Sequence, residues 1–530
     1  MNIVTAEKLL TCVCLAFAAA VPAKHALHMF QQNRYETGRY TGWIRENRNL
    51  GMITIPVLIL TILTALCPFF LNGKIVLYAM NLLFILSGVI LYAAEKKKKY
   101  IKPLVWTARV KRQGIVMAVL FVLFAALTLF VFGNKAALSI ASLAGLFLPW
   151  ILVYPMAWIT APIEAGVRQH YLNDAKRILD EHKDLIKVGI TGSFGKTSTK
   201  NIMQSMLSEA YSSLMTPASY NTPMGITRTI REYLKPIHQV FVCEMGADHV
   251  GDITELMNFV HPSIGVVTSI GPQHLNTFGS QENITREKMQ MIEMLPEDGF
   301  GVLNYDNEFI RSWKIQNSVK IATYGIHSRD VDYYADEISY RQNGSLFTVA
   351  HGEERVQIET KLLGELNILN ILSAIAVARH LGVSWHVIQK AAKQMAPVEH
   401  RLEPKKINGF RFIDDAFNAN PVGSGKALDV LAMMPAKRWI VTPGMIDLGE
   451  KQNEINKHFG TLMKDKADVV VLVGRQQTKP IYEGLQESGF DMENVIVVDT
   501  VREAFGIVWQ KAGREDTILL ENDLPDAFNH

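Results

Sequence analysis

The sequence predicts an α-helical transmembrane domain followed by two α/β domains. Three features indicate this arrangement. Five apolar runs lie before residue 160, a strand-like segment then enters a glycine-rich loop over 192–198, and strand-like and helix-like segments alternate from there onward. After the membrane domain we therefore expect a doubly wound, mainly parallel sheet built on a phosphate-binding loop (P-loop, 192–198), and then a smaller, Rossmann-like α/β domain.

The apolar runs occupy residues 9–21, 52–71, 75–94, 115–132 and 136–158. The middle three approach or meet the roughly 20 residues that cross a bilayer core, and they contain no charged side chain. The first run is shorter, but it lacks the basic start and the small-residue cleavage site of a signal peptide. We therefore predict a transmembrane domain of about five helices over residues 1–160.

The loops between the runs differ in charge. Lys and Arg are frequent in 24–48 and in 96–112, whereas 72–74 and 133–135 each contain a single lysine. Basic loops stay on the cytoplasmic side of a membrane, where they also meet anionic lipid headgroups. We therefore expect a multi-pass protein of the cell membrane, with its N-terminus outside and its later domains in the cytoplasm. The runs contain no Asp, Glu, Lys or Arg, which disfavours a transporter.

Net charge and cysteine content argue against nucleic-acid binding, disulfide bonds and a zinc site. The net charge of +3 on 530 residues is too small to indicate nucleic-acid binding. Cys12, Cys14 and Cys67 lie in apolar runs and Cys243 lies in a strand-like run, which argues against a disulfide framework. The Cys12-x-Cys14 pair has no His or Cys partner pair at zinc spacing, so we expect ordinary buried thiols.

The P-loop has the chemistry of a phosphate site. Its glycines let backbone N–H groups approach a polyphosphate, and the following helix directs the positive end of its dipole at the same place. Lys196 would supply a point charge and Thr197 a hydroxyl for a magnesium ion. The usual pattern has a glycine where this chain has Ile190, so a glycine-rich turn without a ligand is the alternative.

Two later strands end beside residues that suit a metal site. A buried strand over 239–244 ends in Glu244, where a nucleotide site needs a magnesium ligand, although a solvated strand-end acid has the same pattern. His274 follows a strand over 264–270. A single histidine there can ligate a metal, but it is more often a hydrogen-bonded loop residue.

The domain boundaries follow from the same patterns. An amphipathic segment over 161–185 predicts a linker helix that leads from the membrane to the first strand. We expect the first α/β domain over 186–396 and the second over 397–530. A strand of the second domain runs into acids and amides over 414–421.

The ordered motifs between about 186 and 460 resemble the Mur ligase family of ATP-dependent enzymes that form amide bonds. The matching residues are 191–198, 244–247, 251–253, 274–275, 278–280, 288, 367 with 370, 400–403, 414–421, 444–445 and 448–450. The resemblance implies a central domain and a C-terminal domain of the Mur ligase type, the second of which closes over the site.

The resemblance also implies functional residues. Nucleotide binding would involve Gly192, Ser193, Gly195, Lys196, Thr197, Ser198, Asn367, Asn370, Arg401, Asp414 and Asp415. Two Mg²⁺ ions would be held by Thr197, Glu244, His274 and Lys288. Catalysis would depend on Lys196, Lys288 and His274, and substrate binding on Asn221, Thr222, Asn418 and Asn420. Lys288 would be carbamylated, which turns a cation into a carboxylate-like ligand.

The reaction that the resemblance implies follows an acyl phosphate route. ATP phosphorylates a carboxylate of a cell-wall precursor, and the amino group of an amino acid or of a dipeptide such as D-Ala-D-Ala then displaces phosphate. Two departures leave the acceptor open: membrane spans stand where soluble relatives have a UDP-gripping domain, and 517–526 replaces a Lys-Gly-Ser-Arg-like segment. We expect either a nucleotide-linked muropeptide or a lipid-linked or envelope polymer precursor.

Three other functions fit parts of the sequence. A poly-amino-acid synthase of the same superfamily is the alternative within the ligase class. A P-loop ATPase or GTPase that regulates a membrane complex would explain the spans and the loop, but not Lys288 or the 414–421 segment. A catalytically inactive scaffold would not depend on Lys196. The sequence does not predict the oligomeric state.

Overall fold

The computed structural model describes residues 3–46, 54–98, 100, 103–132, 134–341, 344–416, 419–446, 448 and 451–522. The chain divides into two compact units, Met1–His170 and Tyr171–His530. The first unit is helical, and the second is built on two β-sheets.

The first unit consists of helices that contain the apolar runs. They are α1 (Ile3–Gln32), α2 (Thr37–Glu46), α3 (Ile55–Phe70), α4 (Lys74–Lys97), α5 (Ala108–Ala126) with a following π-helical turn (Leu127–Phe132), and α6 (Lys135–Glu181). The residues of α6 from 171 onward belong to the second unit. The segments long and apolar enough to cross a membrane are Ala6–Gln32, Lys74–Lys97, Ala108–Val131 and Lys135–Glu181. Helix α3 has 16 residues and is shorter than a usual span. By length and composition, the described residues offer four spans rather than the expected five.

Helix α6 also differs from the sequence-based expectation. It runs without interruption through Pro149, Pro155 and Pro162, and it ends at Glu181 after 47 residues. The last apolar run and most of the predicted linker helix therefore belong to one helix. A proline removes one backbone hydrogen bond and bends a helix, but intact turns on both sides allow a long helix to continue.

Two acids of the first unit, the buried Glu95 and the partly buried Glu164, are paired with bases on other helices. Glu95 of α4 lies 2.9 Å from Lys24 of α1, and Glu164 of α6 accepts two hydrogen bonds of 2.8 Å from Arg112 of α5. A carboxylate in apolar surroundings needs such a partner. The apolar part of the core includes the fully buried side chains Leu15, Phe30, Tyr40, Met80 and Val153.

The second unit contains a nine-stranded and a six-stranded sheet. The strands of the first sheet are β1 (Ile186–Thr191), β2 (Ser213–Met215), β3 (Val240–Glu244), β4 (Ile264–Val267), β5 (Phe300–Asn304), β6 (Lys320–Gly325), β7 (Tyr333–Arg341), β8 (Gly344–His351) and β9 (Glu354–Thr360). Their spatial order is β2-β3-β1-β4-β5-β6-β7-β8-β9. The strands pair in parallel as far as β7, and β8 and β9 are antiparallel to their neighbours.

The second sheet is parallel except at one edge. Its strands are β10 (Glu403–Ile407), β11 (Phe410–Asp415), β12 (Arg438–Thr442), β13 (Val469–Val473), β14 (Val495–Val498) and β15 (Thr517–Glu521). They lie in the order β10-β11-β15-β12-β13-β14, with β10 antiparallel to β11. The two mainly parallel sheets agree with the alternation of strand-like and helix-like segments in the sequence.

Helices connect and cover the strands. They are α7 (Lys196–Leu207), α8 (Pro223–Tyr233), α9 (Asp252–Val260), α10 (Leu275–Phe278), α11 (Gln281–Glu293), α12 (Glu308–Arg311), α13 (Glu365–His380), α14 (Trp385–Gln394), α15 (Pro421–Ala432), α16 (Gln452–Leu462), α17 (Lys479–Ser488) and α18 (Val501–Lys511). In β3, Val240 and Val242 belong to the core that includes α7 and α13, whereas Phe241 and Cys243 belong to the core that includes α9 and α11. A strand covered on both faces needs apolar residues throughout, which explains the apolar runs.

The strand order determines which loops meet. Strand β1 lies between β3 and β4 and is parallel to both. The segments that follow these strands, 192–195, 245–251 and 268–274, therefore lie at one edge of the sheet. Ligands of parallel α/β sheets bind at this carboxyl edge.

Candidate active site

The P-loop connects β1 to α7 in a conformation that requires glycine. Gly195 has φ 83° and precedes α7 in the left-handed conformation, and a Cβ on Gly192 would lie 2.2 Å from Thr268 Oγ1. A side chain at either position would be strained. Ile190 is fully buried within β1, so the position at which the usual pattern has its first glycine is part of the strand here.

Lys196 is folded over the P-loop. Its Nζ donates to the carbonyl oxygens of Gly192, at 2.6 Å, and Ser193, at 3.1 Å. Burial disfavours the charged form and lowers the pKa of Lys196 to about 8, while Glu244 opposes this shift and Arg401 adds to it. The ammonium group thus lies at the loop where phosphate oxygens are expected.

Glu244 ends β3 and joins several of the predicted residues. The side chain is almost completely buried. Thr197 Oγ1 lies within hydrogen-bond distance of both carboxylate oxygens, at 3.2 Å from Oε1 and 3.1 Å from Oε2. Oε1 also accepts from Asn221 Nδ2 at 3.0 Å, and Oε2 lies 3.0 Å from Lys200 Nζ. The side chains of Thr197 and Asn221 therefore meet at the carboxylate of Glu244.

Lys200 is a residue of this site that sequence-based reasoning missed. It is completely buried, and it donates to the carbonyl oxygen of Ala218 in addition to its contact with Glu244. Helical lysines are usually solvated, so nothing in the composition of α7 singled it out. The spacing of the two lysines could have indicated its location at the site. Lys200 follows Lys196 by about one turn, and both lie on the same side of α7.

Lys288 is a buried lysine on α11. Its Nζ donates to the carbonyl oxygen of Ala247 at 3.1 Å and lies 5.7 Å from the centre of the Phe278 ring. Burial lowers the pKa of Lys288 to about 7, Lys196 adds to the shift, and three nearby acids oppose it. His274 directly precedes α10, the helix that carries Phe278. The structure thus places a weakly basic lysine beside the loop that follows β3.

The same loop contains metal-ligating atoms that were not predicted as ligands. Asp248, His249 and Asp252 each bring one such atom to within 4.8 Å of the others. Asp252 Oδ2 accepts from the backbone N–H groups of Asp248, at 2.9 Å, and His249, at 2.8 Å. The two acids favour the charged form of Lys288. They therefore organise the loop and add negative charge next to this lysine.

A cavity of about 330 Å³ is lined by residues of both halves of the second unit. From the half with the first sheet, the lining includes Gly195, Ser198, Asn367 and Asn370; from the half with the second sheet, it includes Arg401, Asp415, Asn420 and Glu521. Asn370 Oδ1 accepts from Thr199 Oγ1 at 3.0 Å, which joins α13 to α7 in the cavity wall. The cavity thus unites predicted nucleotide-binding residues that lie far apart in the sequence.

The two adjacent acids that end β11 have different surroundings. Asp415 lines the cavity. Asp414 accepts from Lys405 Nζ at 2.7 Å, and its Oδ2 lies 2.8 Å from His400 Nδ1. Burial raises the pKa of Asp414, but Lys405 and His400 outweigh burial and hold it below its usual value. Neighbouring strand residues point to opposite faces, so Asp415 is the predicted acid that belongs to the cavity wall.

Glu521 is the second residue that sequence-based reasoning missed. Parallel pairing of β11 with β15 sets it level with Asp415, and side chains at one register position share a face of the sheet. Ser424 Oγ donates to Glu521 Oε1 at 2.6 Å, whereas Oε2 has no donor among the described residues. Burial raises the pKa of Asp415 to about 6. Burial and the charge of Asp415 raise the pKa of Glu521 well above its usual value.

The remaining predicted substrate residues lie at helix N-termini or outside the described residues. Thr222 caps α8 by accepting from Gly225 N at 3.3 Å. Asn420 caps α15 by accepting from Gly423 N at 2.8 Å, and it also lines the cavity. Asn418 lies outside the described residues.

Family models match both halves of the second unit. The Mur ligase middle domain matches residues 190–378, and the glutamate ligase domain of the Mur ligases matches 400–521. Three similar proteins are UDP-N-acetylmuramoyl-tripeptide–D-alanyl-D-alanine ligases. The Escherichia coli protein is 28% identical over 60% of this chain and 72% of its own length, and the Bacillus subtilis protein is 28% identical over 63% and 72%. The Mycobacterium tuberculosis protein is 31% identical over 52% of this chain and 55% of its own length.

Solved structures are similar as well. MurF from Acinetobacter baumannii has a TM-score of 0.61 and 25% identity, over 68% of this chain and 78% of that one. MurF from Thermotoga maritima in complex with ADP has a TM-score of 0.61 and 22% identity, over 68% and 81%, which shows a shared fold. The two family models together match more than half of the 530 residues, and the chain therefore belongs to the Mur ligase family of ATP-dependent carboxylate–amine ligases.

Proposed function

We propose that this protein is a membrane-anchored ligase of cell-wall precursor synthesis that adds D-alanyl-D-alanine, or another dipeptide or amino acid, to a muropeptide. The observation that carries the proposal is the shared cavity, in which Gly195 and Ser198 of the P-loop lie together with Arg401 and Asp415. The similarity to three UDP-N-acetylmuramoyl-tripeptide–D-alanyl-D-alanine ligases supports the choice of substrates.

The P-loop and Arg401 would hold the phosphates of ATP. The loop glycines and Ser198 would bring N–H groups to them, and Lys196 and Arg401 would add positive charge. The N–H of Ser193, in contrast, donates to the carbonyl oxygen of Ser269 at 2.6 Å. This charge would favour phosphoryl transfer, because the transferred group carries negative charge on its equatorial oxygens. Lys196 is suited to this role because its ammonium group already lies over the loop.

Two magnesium ions would lie beside the phosphates. Thr197 and Glu244 fit the first, because a hydroxyl and a carboxylate that already touch are hard oxygen ligands. His274 and Lys288 would contribute to the second. When bound, magnesium neutralises charge on the phosphoryl group during transfer.

The nucleoside would occupy the cavity. Asn367 and Asn370 would lie near the adenine, where amide groups can donate to and accept from a base edge. Asp415 would accept hydrogen bonds from ribose hydroxyls, whereas Asp414 is engaged by Lys405 and His400. Asn221, Thr222, Asn418 and Asn420 would meet the carboxylate and amine substrates.

The reaction would proceed through an acyl phosphate. A carboxylate oxygen of the acceptor attacks the γ-phosphorus of ATP, and the bond from that phosphorus to the bridging oxygen breaks, which releases ADP. The amine nitrogen then attacks the acyl carbon, phosphate leaves with the bonding electrons, and the nitrogen gives up a proton. Closure of the C-terminal half would keep water away from the acyl phosphate.

We also propose that Lys288 is carbamylated. The unprotonated amine adds to carbon dioxide, forming a nitrogen–carbon bond and releasing a proton. The buried position of Lys288, the contact that fixes its Nζ on Ala247 and a pKa of about 7 support this modification, because an unprotonated amine is the nucleophile. The product would be an anionic oxygen ligand of the kind that magnesium prefers.

The helical unit would anchor the enzyme in the cell membrane. Four of its helices have the length and composition of spans. Two of them separate the basic loop over 96–112 from the second unit, which would put this loop and the active site on the same, cytoplasmic side. A membrane anchor brings the site close to lipid-linked precursors. The acceptor would then be lipid-linked or, as the names of the similar enzymes suggest, linked to UDP.

Turnover by the full-length protein in lipid nanodiscs tests the proposal. With ATP, Mg²⁺, D-alanyl-D-alanine and a UDP-linked or lipid-linked tripeptide, it should release ADP and phosphate and lengthen the acceptor by one dipeptide, as measured by mass spectrometry. Lys196→Ala should abolish both products. Use of the UDP-linked acceptor alone would exclude the lipid-linked version.

Three other results would identify the alternative functions. Repeated addition of one residue type would identify a poly-amino-acid synthase. Phosphate release that requires neither acceptor nor amine would identify a regulatory ATPase. Cells that grow normally with Lys196→Ala would indicate a scaffold.

A further inference from the structure

Lys200 is a completely buried cation at the proposed metal site, and the reaction above gives it no role. Its Nζ lies 3.0 Å from Glu244 Oε2, and both side chains of this pair are at most 2% exposed. Burying a lysine is unfavourable unless the ammonium is paired and hydrogen-bonded. Its location one turn after Lys196 therefore requires a functional or structural reason.

We propose that Lys200 is a positioning residue that orients Glu244 for magnesium and attaches the segment before Asn221 to the same carboxylate. This inference rests on the proposed role of Thr197 and Glu244 as metal ligands.

The contacts of Glu244 divide between its two oxygens. Lys200 contacts Oε2, Asn221 donates to Oε1, and Thr197 lies within 3.2 Å of each. A glutamate side chain has three rotatable bonds, so partners on both oxygens are needed to fix the plane of the carboxylate. Loss of a partner that holds a metal ligand in this way commonly weakens metal binding about 10–100-fold.

The second contact of Lys200 reaches the segment that leads to Asn221. Lys200 Nζ donates to the carbonyl oxygen of Ala218, and Ala218 has φ 42°, in the left-handed region that alanine rarely adopts. Such a conformation persists only where surrounding contacts hold it. Lys200 thus stabilises the turn just before Asn221 and links it to Glu244.

The sign of the effect on magnesium binding distinguishes positioning from simple charge compensation. A lysine that acted only as a counter-charge would repel Mg²⁺, so its removal would strengthen magnesium binding. A lysine that orients Glu244 contributes to magnesium binding, and its removal weakens it. We infer that orientation dominates, because Glu244 would otherwise have only the neutral donors Thr197 and Asn221.

The test is a Mg²⁺ titration of ADP binding to the full-length protein in nanodiscs, measured by calorimetry. In Lys200→Met, the Mg²⁺ concentration that gives half of the magnesium-dependent gain in ADP affinity should rise about 10–100-fold. The ADP affinity without Mg²⁺ should stay near the wild-type value, because the P-loop and the cavity are intact. Lys200→Gln keeps a donor without the charge and should give an intermediate midpoint.

Gln204→Met is the matched control. Gln204 follows Lys200 by one turn of α7 and donates to the carbonyl oxygen of Ser213 at 3.0 Å. Because this hydrogen bond does not involve Glu244, the substitution should leave the Mg²⁺ midpoint unchanged. An unchanged or lower midpoint in the Lys200 variants would overturn the inference, as would an equal loss of ADP affinity with and without Mg²⁺. If Lys200→Met does not fold, Lys200→Gln decides. Wild-type ADP binding that ignores Mg²⁺ would instead reject the proposed metal site.

Discussion

Glu244 and Glu521 occupy corresponding places in the two sheets but have opposite surroundings. Each ends a parallel strand and is 1% exposed. Glu244 contacts a lysine, a hydroxyl and an amide. Glu521 accepts from Ser424 and lies level with a second acid, Asp415. A parallel strand that ends in an acid therefore does not by itself define a metal site.

The partners of each acid decide its chemistry. Donors and a cation around Glu244 suit a carboxylate that holds a metal. Burial, and after it the charge of the neighbouring Asp415, favours the protonated form of Glu521 and raises its pKa. The first acid is thus suited to catalysis, and the second joins two strands at the cavity wall.

The same substitution at both acids tests this comparison most strongly. Glu244→Gln should lower ligase turnover about 100-fold or more, because a neutral amide is a poor magnesium ligand. Glu521→Gln should change turnover less than about tenfold, because an amide replaces a group that is already neutral. Steady-state product formation in nanodiscs measures both. Equal losses in the two variants would contradict the division of roles.

A variant of Lys288 extends the same comparison, because carbamylation would create a further carboxylate beside the loop that follows Glu244. Lys288→Ala should lower turnover about 10–100-fold, as loss of a metal ligand or its support commonly does. Formate or acetate should restore part of the activity by replacing the missing carboxylate. Arg286→Ala, at an exposed position of the same helix, serves as the control.

A direct measurement accompanies this rescue. Protein equilibrated with ¹³C-labelled bicarbonate should show a carbamate signal by NMR that is absent in Lys288→Ala. If formate and acetate do not restore activity and no carbamate signal appears, the lysine acts unmodified.

The dependence of the free energy of unfolding on pH tests whether Glu521 is protonated beside Asp415. The pKa values of Asp415 and Glu521 are raised in the folded state, so from about pH 4 up to these raised pKa values the folded state holds more protons than the unfolded state. Their contribution to stability is therefore present at low pH and is lost as the pH rises through the folded pKa values. Glu521→Gln removes one titrating acid and offers a donor to Asp415. It should stabilise the protein at pH 8 by about 1–2 kcal/mol.

Urea unfolding of the full chain at pH 5 and pH 8 measures this effect. Glu515→Gln is the control, because Glu515 is 82% exposed and precedes the same strand. If wild type and Glu521→Gln lose equal stability between the two pH values, the two acids do not interact as described.

Local patterns were sufficient to predict the P-loop and the end of β3. The P-loop and Glu244 are defined by neighbours in the sequence, and the strand order β3-β1-β4 brings them together. Thr197 contacts Glu244 as expected from that arrangement. The apolar runs also predicted helices, although α6 continues through three prolines because tertiary packing and helix length outweigh single lost hydrogen bonds.

Residues defined by distant pairing could not be predicted in this way. Glu521 becomes part of the cavity only because β15 pairs with β11, and no nearby motif indicates that register. Lys200 has the sequence environment of a surface lysine, and its burial depends on β3 and the segment at Ala218. The sequence predicted a nucleotide-binding role equally for Asp414 and Asp415. Only the orientation of their side chains on β11 shows that Asp415 lines the cavity.

The smallest expected effect concerns the hydrogen bond between Ser424 and Glu521. Ser424 Oγ donates to Oε1 at 2.6 Å, and both side chains are buried. Ser424→Ala should lower the free energy of unfolding at pH 7 by about 1 kcal/mol, the usual value for a hydrogen bond between neutral groups. The loss should be equal in wild type and in the Glu521→Gln background, since an amide oxygen accepts as well as a protonated carboxyl.

A hydrogen bond to an ionised group contributes about 1.5–3 kcal/mol. A clearly larger loss in wild type, measured by urea unfolding, would therefore show that Glu521 is charged and that the contrast with Glu244 does not hold.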